Sequence, residues 1–250
     1  MAERNLVYFV SDVHLGRRDV DPAEREARFV SFLKGLSPET VKALYLLGDI
    51  WDFWFEYHDV VPREGFRVVA ELVHLMDEGV EVWFCPGNHD IWTFSFFKEL
   101  GFHYFEQPLF VRLGDKDFCL GHGDCVGGAT RGYSFLMKLF HSHFIQRAFA
   151  ALHPTLAYRW ARAWSKSSRS KHPNHKFRGP DEFLYQFAAR TEQERHVDYF
   201  VFGHYHDSVD LTLPGGAKLI VLKDWEPGGM PCAVFNGTSF ELRTPASPAE

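Results

Sequence analysis

The 250-residue sequence predicts an α/β fold in which two mixed β-sheets pack face to face and helices cover their outer faces. Apolar stretches rich in β-branched and aromatic residues alternate with amphipathic stretches, as expected where strands alternate with helices. After residue 206 the pattern changes to short strands separated by turns, at 214–216 and at 236–237. A hydrophobic content of 46% and a charged content of 24% are typical of a globular domain with a full core.

Each predicted element rests on a local pattern. Apolar stretches predict four buried strands, at 6–10, 43–47, 80–85 and 199–202. Helical spacing of apolar residues predicts helices at 22–36, 62–78, 94–100 and 181–194. Two further apolar stretches are expected to form a hairpin, at 108–113 and 117–121.

Five short runs place polar side chains beside turns, in a fixed order along the chain. They are Asp12-Val13-His14, Gly48-Asp49-Ile50-Trp51-Asp52, Gly87-Asn88-His89-Asp90, Gly121-His122-Gly123-Asp124 and Gly203-His204-Tyr205-His206. Four of the five follow a predicted buried strand. Because α/β proteins bind ligands in the crevice beyond the carboxyl ends of their strands, we expect the donors of these runs to converge there. The seven donors are Asp12, His14, Asp49, Asn88, His122, His204 and His206.

These donors are oxygen and nitrogen atoms without a thiolate. Such a set suits manganese above all, or iron or zinc, and disfavours a closed structural zinc site. Seven ligands are too many for one ion, and two divalent ions about 3.5–4 Å apart are the usual arrangement for phosphate-ester chemistry. A single Asp or His at a strand end is more often a cap or a turn former. Five such runs in order are not independent accidents, so a metal site is favoured.

The order D-x-H, G-D-x-x-D, G-N-H-D, G-H and G-H-x-H resembles the calcineurin-like metallophosphoesterases. The resemblance implies their four-layer sandwich of two mixed sheets flanked by helices, and two metal ions bridged by Asp49. One ion would be held by Asp12, His14, Asp49 and His206. The other would be held by Asp49, Asn88, His122 and His204.

The segment between Asp124 and Asp181 contains no acidic residue. It contains ten basic residues, namely Arg131, Lys138, Arg147, Arg159, Arg162, Lys166, Arg169, Lys171, Lys176 and Arg178. Its apolar residues recur at three- and four-residue steps and break at His153-Pro154, so we predict two helices. We interpret residues 126–180 as a helical cap inserted into a core domain of residues 1–125 and 181–250.

The aromatic residues of this cap have two interpretations. Most of them would simply pack the cap on the core. The stripes are nevertheless too wide for two or three helices to bury against themselves, which favours an apolar groove for acyl chains or an entrance that faces a membrane. We expect Phe140, Phe144 and Trp164 on the inner face of the cap.

The cap is similar to that of the UDP-2,3-diacylglucosamine hydrolases of lipid A biosynthesis. The similar features are a glycine-rich stretch after His-Gly-Asp, Tyr133, an amphipathic helix, Leu-His-Pro at 152–154 and a run rich in Ser, Arg and Lys at 165–171. The resemblance implies hydrolysis of the nucleotide-sugar lipid to UMP and diacylglucosamine 1-phosphate, with the acyl chains held by the cap. The implied substrate-binding residues are Asn88, His89, Tyr133, Arg169 and Lys171.

Two positions depart from the best-known members of that family. The best-known members carry Arg at the position of His89, and Thr-Asp-Asp in place of residues 128–130. His89 is the general form of the superfamily, so the departures concern the exact substrate and leave the hydrolysis unaffected. The sequence is interpreted as a divergent branch.

His89 is predicted to be a catalytic residue that donates a hydrogen bond or proton to a phosphoryl or leaving oxygen. Asp90 is predicted to be its catalytic partner, fixing the tautomer of the imidazole. The alternative for His89 is to support its neighbour Asn88 from behind. Asp52 and Asp124 are expected to act as supports of this kind.

Three other classes of function were considered. A nuclease or nucleotide phosphodiesterase would use the same metals, and its basic cap would follow a nucleic-acid backbone. The interleaving of basic residues with an apolar stripe disfavours that alternative, so no nucleic-acid partner is expected. A protein phosphatase is disfavoured because a cap crowds out a folded partner, and a noncatalytic module because all seven ligands are present.

The sequence contains neither a recognisable secretory signal nor a run of 18 apolar residues. Its cysteines, Cys85, Cys119, Cys125 and Cys232, lack any C-x-x-C spacing, as is usual in a reducing compartment. We therefore expect a cytoplasmic protein, bound peripherally to the inner membrane that holds the lipid substrate.

Overall fold

The computed structural model describes residues 4–171 and 176–244 of the chain, without the side chains of 166–171. The strands in this part are β1 (Leu6–Val10), β2 (Val41–Leu47), β3 (Glu81–Cys85), β4 (His103–Tyr104), β5 (Leu109–Leu113), β6 (Lys116–Leu120), β7 (Tyr199–Phe202), β8 (Val209–Thr212), β9 (Lys218–Val221), β10 (Cys232–Phe235) and β11 (Phe240–Arg243). The α-helices are α1 (Pro22–Lys34), α2 (Phe66–Asp77), α3 (Phe96–Glu99), α4 (Arg131–Phe140), α5 (His143–Ala150), α6 (Pro154–Lys171) and α7 (Phe183–Glu194).

The strands form two mixed sheets. The first has the order β11-β10-β1-β2-β3-β4, in which β1 to β4 are parallel and β10 is antiparallel to β1. The second has the order β5-β6-β7-β9-β8, in which β6, β7 and β9 are parallel and the edge strands β5 and β8 are antiparallel to their neighbours. The parallel strands of both sheets therefore present their carboxyl ends to the same region of the molecule.

The inner faces of the two sheets meet in an aromatic and aliphatic core. The Phe9 ring of the first sheet stacks on Tyr45 at a centroid distance of 5.4 Å and on Phe118 of the second sheet at 5.7 Å. Phe9 is fully buried, as is Val201 on the opposing sheet. Burial of such rings contributes about 1.5–3 kcal/mol each.

Helices cover the two outer faces. Phe29 and Leu33 of α1 and Leu72 of α2 pack in one buried cluster with Leu44 of the first sheet. Leu184 and Ala188 of α7 pack with Phe200 on the second sheet. The predicted α/β fold with four layers is confirmed.

Two helix starts show how local sequence sets the element boundaries. The Asp21 carboxylate accepts a hydrogen bond from the Ala23 N–H at 2.9 Å, and Pro22 occupies the first helical position, so α1 begins where it was predicted. The predicted helix at 62–78 instead begins at Phe66. Gly65 adopts a left-handed backbone with φ 79°, which interrupts the helical geometry directly before α2.

The described residues between β6 and α7 contain three α-helices, not the two that were predicted. The extra break follows Phe140, where the His141 ring nitrogen Nδ1 lies 2.8 Å from the Met137 carbonyl in the last turn of α4. Phe149, Ala157 and Ala161 pack this segment against Phe55 and Trp92 of the core. The division of the chain at 126 and 180 stays a prediction.

Several aromatic side chains of these helices have clear places. Phe140 packs on Trp92 at 5.4 Å and on Trp164 at 4.9 Å between ring centroids, so it joins the segment to the core. Phe144 is 78% exposed, and its predicted place on an inner face is therefore wrong. Among the described residues, none of the helices is both long enough and apolar enough to cross a membrane.

Candidate metal centre

Five of the seven predicted ligands have a left-handed backbone. The φ angles are 54° at Asp12, 51° at His14, 53° at Asp49, 71° at His204 and 53° at His206. Non-glycine residues rarely adopt this conformation, which costs about 1–3 kcal/mol and concentrates at functional sites. Each of these residues follows a strand, so the sharp turn directs the side chain into the space beyond the sheet edge.

Hydrogen bonds between loops hold these turns together. The Asp12 N–H donates to the Gly48 carbonyl at 3.1 Å, and the His14 N–H donates to the Asp49 carbonyl at 2.9 Å. Gly203 must lack a side chain, because a Cβ there would collide with Ser11 Oγ and Asp12 Oδ2. The glycines beside the ligands therefore permit the close approach of neighbouring loops.

One group of donors surrounds His14. Its Nε2 atom lies 3.1 Å from His206 Nε2, 3.7 Å from Asp12 Oδ1 and 3.9 Å from Asp49 Oδ2. His206 Nε2 is also 3.1 Å from Asp12 Oδ1. The structure thus brings together the four residues that were predicted for the first ion.

A second group lies on the other side of Asp49. His122 Nε2 is 3.5 Å from Asp49 Oδ2 and 3.2 Å from Asn88 Oδ1. Asn88 Oδ1 is in turn 3.0 Å from His204 Nδ1. The four residues predicted for the second ion are therefore also together, and Asp49 is common to both groups.

The donor set fits divalent metal ions. His14 Nδ1 is buried and has no hydrogen-bond partner among the described residues, an arrangement that is costly unless a cation or an ordered water compensates it. His122 Nδ1 lies 2.9 Å from the Leu47 carbonyl and must donate to it, so Nε2 presents its lone pair to the site. Mixed carboxylate, amide and imidazole donors suit such ions.

The pKa values of the buried acidic and imidazole groups are shifted by their neighbours in this centre. Burial opposes the ionisation of Asp49, but the His122 and His89 rings beside it hold its pKa well below the ordinary value. Burial likewise opposes protonation of His122, but the Asp49 carboxylate raises the pKa of that ring well above its ordinary value. The Asp49 carboxylate is therefore ionised in the buried centre and is stabilised by positive charge beside it.

Asp90 does not contact the ring of His89 as predicted. It is fully buried, and its Oδ1 accepts hydrogen bonds from the N–H groups of Gly87 (2.7 Å) and Asp49 (3.2 Å). Its Oδ2 accepts from those of Ile50 (2.8 Å) and Trp51 (3.3 Å). The pairing with His89 is wrong, because the carboxylate is committed to the backbone of the two loops that carry Asp49 and Asn88.

His89 is oriented by a different residue. Its Nδ1 lies 2.9 Å from the Asp52 carbonyl and therefore donates to it, which leaves Nε2 facing the site, 3.9 Å from Asp49 Oδ2. The Asp52 carboxylate lies 3.7 Å from His14 Nδ1 and 3.2 Å from Ser165 Oγ on α6. Asp52 therefore lies beside His14 and α6, and its role as a supporting residue stays a prediction.

The structure places the remaining predicted residues as follows. The Tyr133 ring centroid is 6.4 Å from that of His204, and burial raises the pKa of its hydroxyl, which has no hydrogen-bond partner among the described residues. Asp124 is buried beside the second group of donors. The side chains of Arg169 and Lys171 lie outside the described residues.

Two residues near the ligands were missed by the sequence analysis. Asp224 Oδ2 lies 3.8 Å from His206 Nδ1, and its signal was present, because it also follows an apolar strand at 218–221. Gln107 makes hydrogen bonds to the loop after His122. No local pattern marks Gln107, since its partners are 16 and 17 residues away.

The fold and the two donor groups define a metal-dependent phosphoesterase. The chain belongs to the calcineurin-like phosphoesterase family, whose model matches residues 6–208. Membership implies a dinuclear centre of divalent metal ions, and the chain is a metal-dependent hydrolase.

Particular relatives cover nearly the whole chain. A Porphyromonas gingivalis protein named UDP-2,3-diacylglucosamine hydrolase is 36% identical over 96% of this chain and 98% of its own length. A Haemophilus influenzae protein of the same name is 31% identical over 87% of this chain and 90% of its own length. Among solved structures, an archaeal phosphodiesterase matches with a TM-score of 0.51 at 11% identity, over 96% of this chain and 99% of that one, and supports the fold alone.

Proposed function

We propose that the chain hydrolyses UDP-2,3-diacylglucosamine to UMP and diacylglucosamine 1-phosphate, a reaction of lipid A biosynthesis. The observation that carries this proposal is the full-length similarity to the Porphyromonas gingivalis relative. An alignment over 96% of the chain includes residues of the helical segment between β6 and α7 as well as the five metal motifs. The proposal therefore does not rest on the motifs alone, which many phosphoesterases share.

The two donor groups support a role for each predicted ligand. Asp12, His14, Asp49 and His206 would hold one ion, and Asp49, Asn88, His122 and His204 the other. Mixed carboxylate, amide and imidazole donors suit manganese, iron or zinc, and manganese is the metal proposed here. When bound, two divalent ions activate a water molecule near neutral pH and offset charge on the phosphoryl group.

The residues around this centre act on the substrate directly. His89 Nε2 faces the centre, and the side chain is 19% exposed, so it can reach a phosphoryl or leaving oxygen. The bond from Nδ1 to the Asp52 carbonyl fixes the ring orientation for that task. The Tyr133 hydroxyl is buried, has no hydrogen-bond partner among the described residues and belongs to a ring that lies 6.4 Å from the His204 ring between centroids. This position supports its role as a hydrogen-bond donor to the substrate.

Hydrolysis in isotopically labelled water tests the reaction. UDP-2,3-diacylglucosamine is incubated with the manganese-loaded protein in water enriched in oxygen-18, and the products are analysed by mass spectrometry. Attack at the phosphorus nearer to uridine places the label in UMP. If the protein ignores this substrate but cleaves a cyclic nucleotide or single-stranded DNA, the lipid assignment is refuted while the phosphoesterase family stands.

We further propose that helices α4 to α6 bind the cytoplasmic face of the inner membrane. Four large apolar side chains there are strongly exposed: Phe135 at 69%, Phe144 at 78%, Leu156 at 59% and Trp160 at 68%. Exposed basic residues accompany them, namely Arg131, Lys138, Arg147 and Arg159. Apolar and basic side chains on the same helices suit an anionic lipid surface, into which the rings insert.

Vesicle sedimentation tests this binding. The wild-type protein should sediment with vesicles that contain anionic lipid and much less with zwitterionic ones. Replacing Phe144 and Trp160 by Ser should abolish sedimentation, whereas Phe66→Ser should not, because Phe66 is similarly exposed at 66% but lies on α2. Equal loss in both variants would contradict the assignment of the surface.

A further inference from the structure

Gln107 lies where the chain crosses from the first sheet to the second, between β4 and β5. Its side-chain amide makes three hydrogen bonds to the loop that follows His122. The Nε2 atom donates to the Asp124 carboxylate at 2.6 Å and to the Asp124 carbonyl at 3.0 Å. The Oε1 atom accepts from the Gly123 N–H at 2.7 Å. One side chain thus forms hydrogen bonds with three polar groups of this turn.

The loop is shaped to receive this amide. A Cβ atom at Gly121 would lie 2.8 Å from Gln107 Cβ and 2.9 Å from Gln107 Oε1, so only glycine admits the glutamine there. Gly123 adopts φ 111°, a conformation that other residues rarely reach. The two glycines on either side of His122 therefore fit the backbone closely around the Gln107 side chain.

The turn that Gln107 holds carries two side chains of the metal centre, His122 and Asp124. His122 lies between the two glycines, with Nε2 3.5 Å from Asp49 Oδ2. Asp124 is 5% exposed, and its charge raises the pKa of the Tyr133 hydroxyl, while burial is the larger cause of that increase. Any rotation of the turn would move the His122 ring and the Asp124 carboxylate together.

We propose that Gln107 is a positioning residue for the second metal ion, acting through its hydrogen bonds to Gly123 and Asp124. The inference rests on the proposed function only in that His122 is a metal ligand. Gln107 itself does not contact the reacting groups. It fixes the turn so that the lone pair of His122 Nε2 and the amide oxygen of Asn88 meet the same position.

The test is a set of matched variants titrated with Mn²⁺ by calorimetry on the metal-free protein. Gln107→Met keeps the length but removes all three hydrogen bonds. Gln107→Glu keeps the acceptor for the Gly123 N–H but opposes two carboxylates at a distance of 2.6 Å. Combining Gln107→Glu with Asp124→Asn restores the hydrogen bond between the two side chains, with the new amide at position 124 as the donor and the new carboxylate at position 107 as the acceptor. Glu106→Gln, at an exposed neighbouring position, is the control.

Both single Gln107 variants should bind the weaker of the two Mn²⁺ ions about 10–100-fold less tightly, the usual effect of losing a partner that orients a ligand. The double variant should regain most of the affinity lost in Gln107→Glu, and Glu106→Gln should bind as the wild type does. Circular dichroism checks that each variant is folded, and the double variant supplies the decisive comparison if one single variant is not.

Two results would overturn the proposal. One is wild-type Mn²⁺ affinity in folded Gln107→Met. The other is a further loss of affinity when Asp124→Asn is added to Gln107→Glu. Failure of the proposed function is distinguished separately: a wrong ligand assignment would appear as two Mn²⁺ ions still bound by a His122→Ala variant, and a wrong substrate would appear in the labelled-water assay.

Discussion

Asp90 provides the sharpest test of how the two ligand-bearing loops are held. Each of its carboxylate oxygens accepts two backbone N–H groups inside a fully buried site. In Asp90→Asn one oxygen and its two donors remain, and the other two donors face an amide NH₂ group. A buried donor without a partner costs about 1–3 kcal/mol, so the loss of stability should be about 2–6 kcal/mol.

The alanine variant extends the same reasoning. Asp90→Ala leaves all four N–H groups without an acceptor, a cost of about 4–12 kcal/mol that reaches the total stability of an ordinary domain. Asp90→Ala is therefore expected to be largely unfolded, and Asp90→Asn is the variant to measure.

Urea unfolding of the metal-free protein, followed by tryptophan fluorescence, measures the free energy of unfolding. Asp210→Asn is the matched control, because Asp210 is exposed and its ion pair with Lys218 should contribute at most about 1 kcal/mol. A loss below about 1 kcal/mol in Asp90→Asn would refute the reasoning. So would equal losses in Asp90→Asn and Asp90→Ala.

Four further outcomes are expected. Asp49→Ala should fold but lose hydrolysis and at least one bound ion by elemental analysis, since Asp49 belongs to both donor groups; retained turnover with both ions loaded would contradict the mechanism. His89→Ala should lower kcat about 10²–10⁴-fold if the ring is a general acid, and an unchanged kcat would leave it only a support of Asn88. Tyr133→Phe should lower kcat/KM about 10–100-fold by removing one donor to a charged group, with no change in metal content. Burial raises the pKa of Asp198, but the Asp117 N–H and the Lys116 ammonium outweigh burial and lower this pKa in the folded protein. The ionised Asp198 therefore stabilises the fold above pH about 4, the ordinary pKa of an Asp, and this contribution is lost as the pH falls through the lower pKa of the folded state. The difference in free energy of unfolding between the wild type and Asp198→Asn should accordingly shrink below pH about 4.

Much of the centre could be predicted from the sequence because its signals are local. A buried strand is recognisable from a few consecutive apolar residues, and Asp12, Asp49 and His204 each come within two residues of such a strand. Parallel strands that share a sheet edge then bring these residues together without further information. The seven donors and the four layers follow from these patterns.

Other features depend on contacts between distant parts of the chain. Asp90 was predicted to contact its neighbour His89, yet its carboxylate reaches the N–H groups of residues 49–51, about 40 positions away. The ring of His89 instead donates to the carbonyl of Asp52. Which acceptor a buried donor finds is decided by backbone packing, and no local pattern records it.

The helical segment shows the same division between local and tertiary information. The spacing of apolar residues correctly indicated helices there, because amphipathic periodicity is local. The same periodicity did not show that Phe140 would pack on Trp92 while Phe144 would remain exposed, although the two are four residues apart. The sequence by itself determined which seven donor residues would come together and the helical character of this segment. Only the tertiary structure decided the break between α4 and α5, the exposed faces and the hydrogen bonds of Gln107 and Asp90, because each depends on the position of backbone groups far away in the chain.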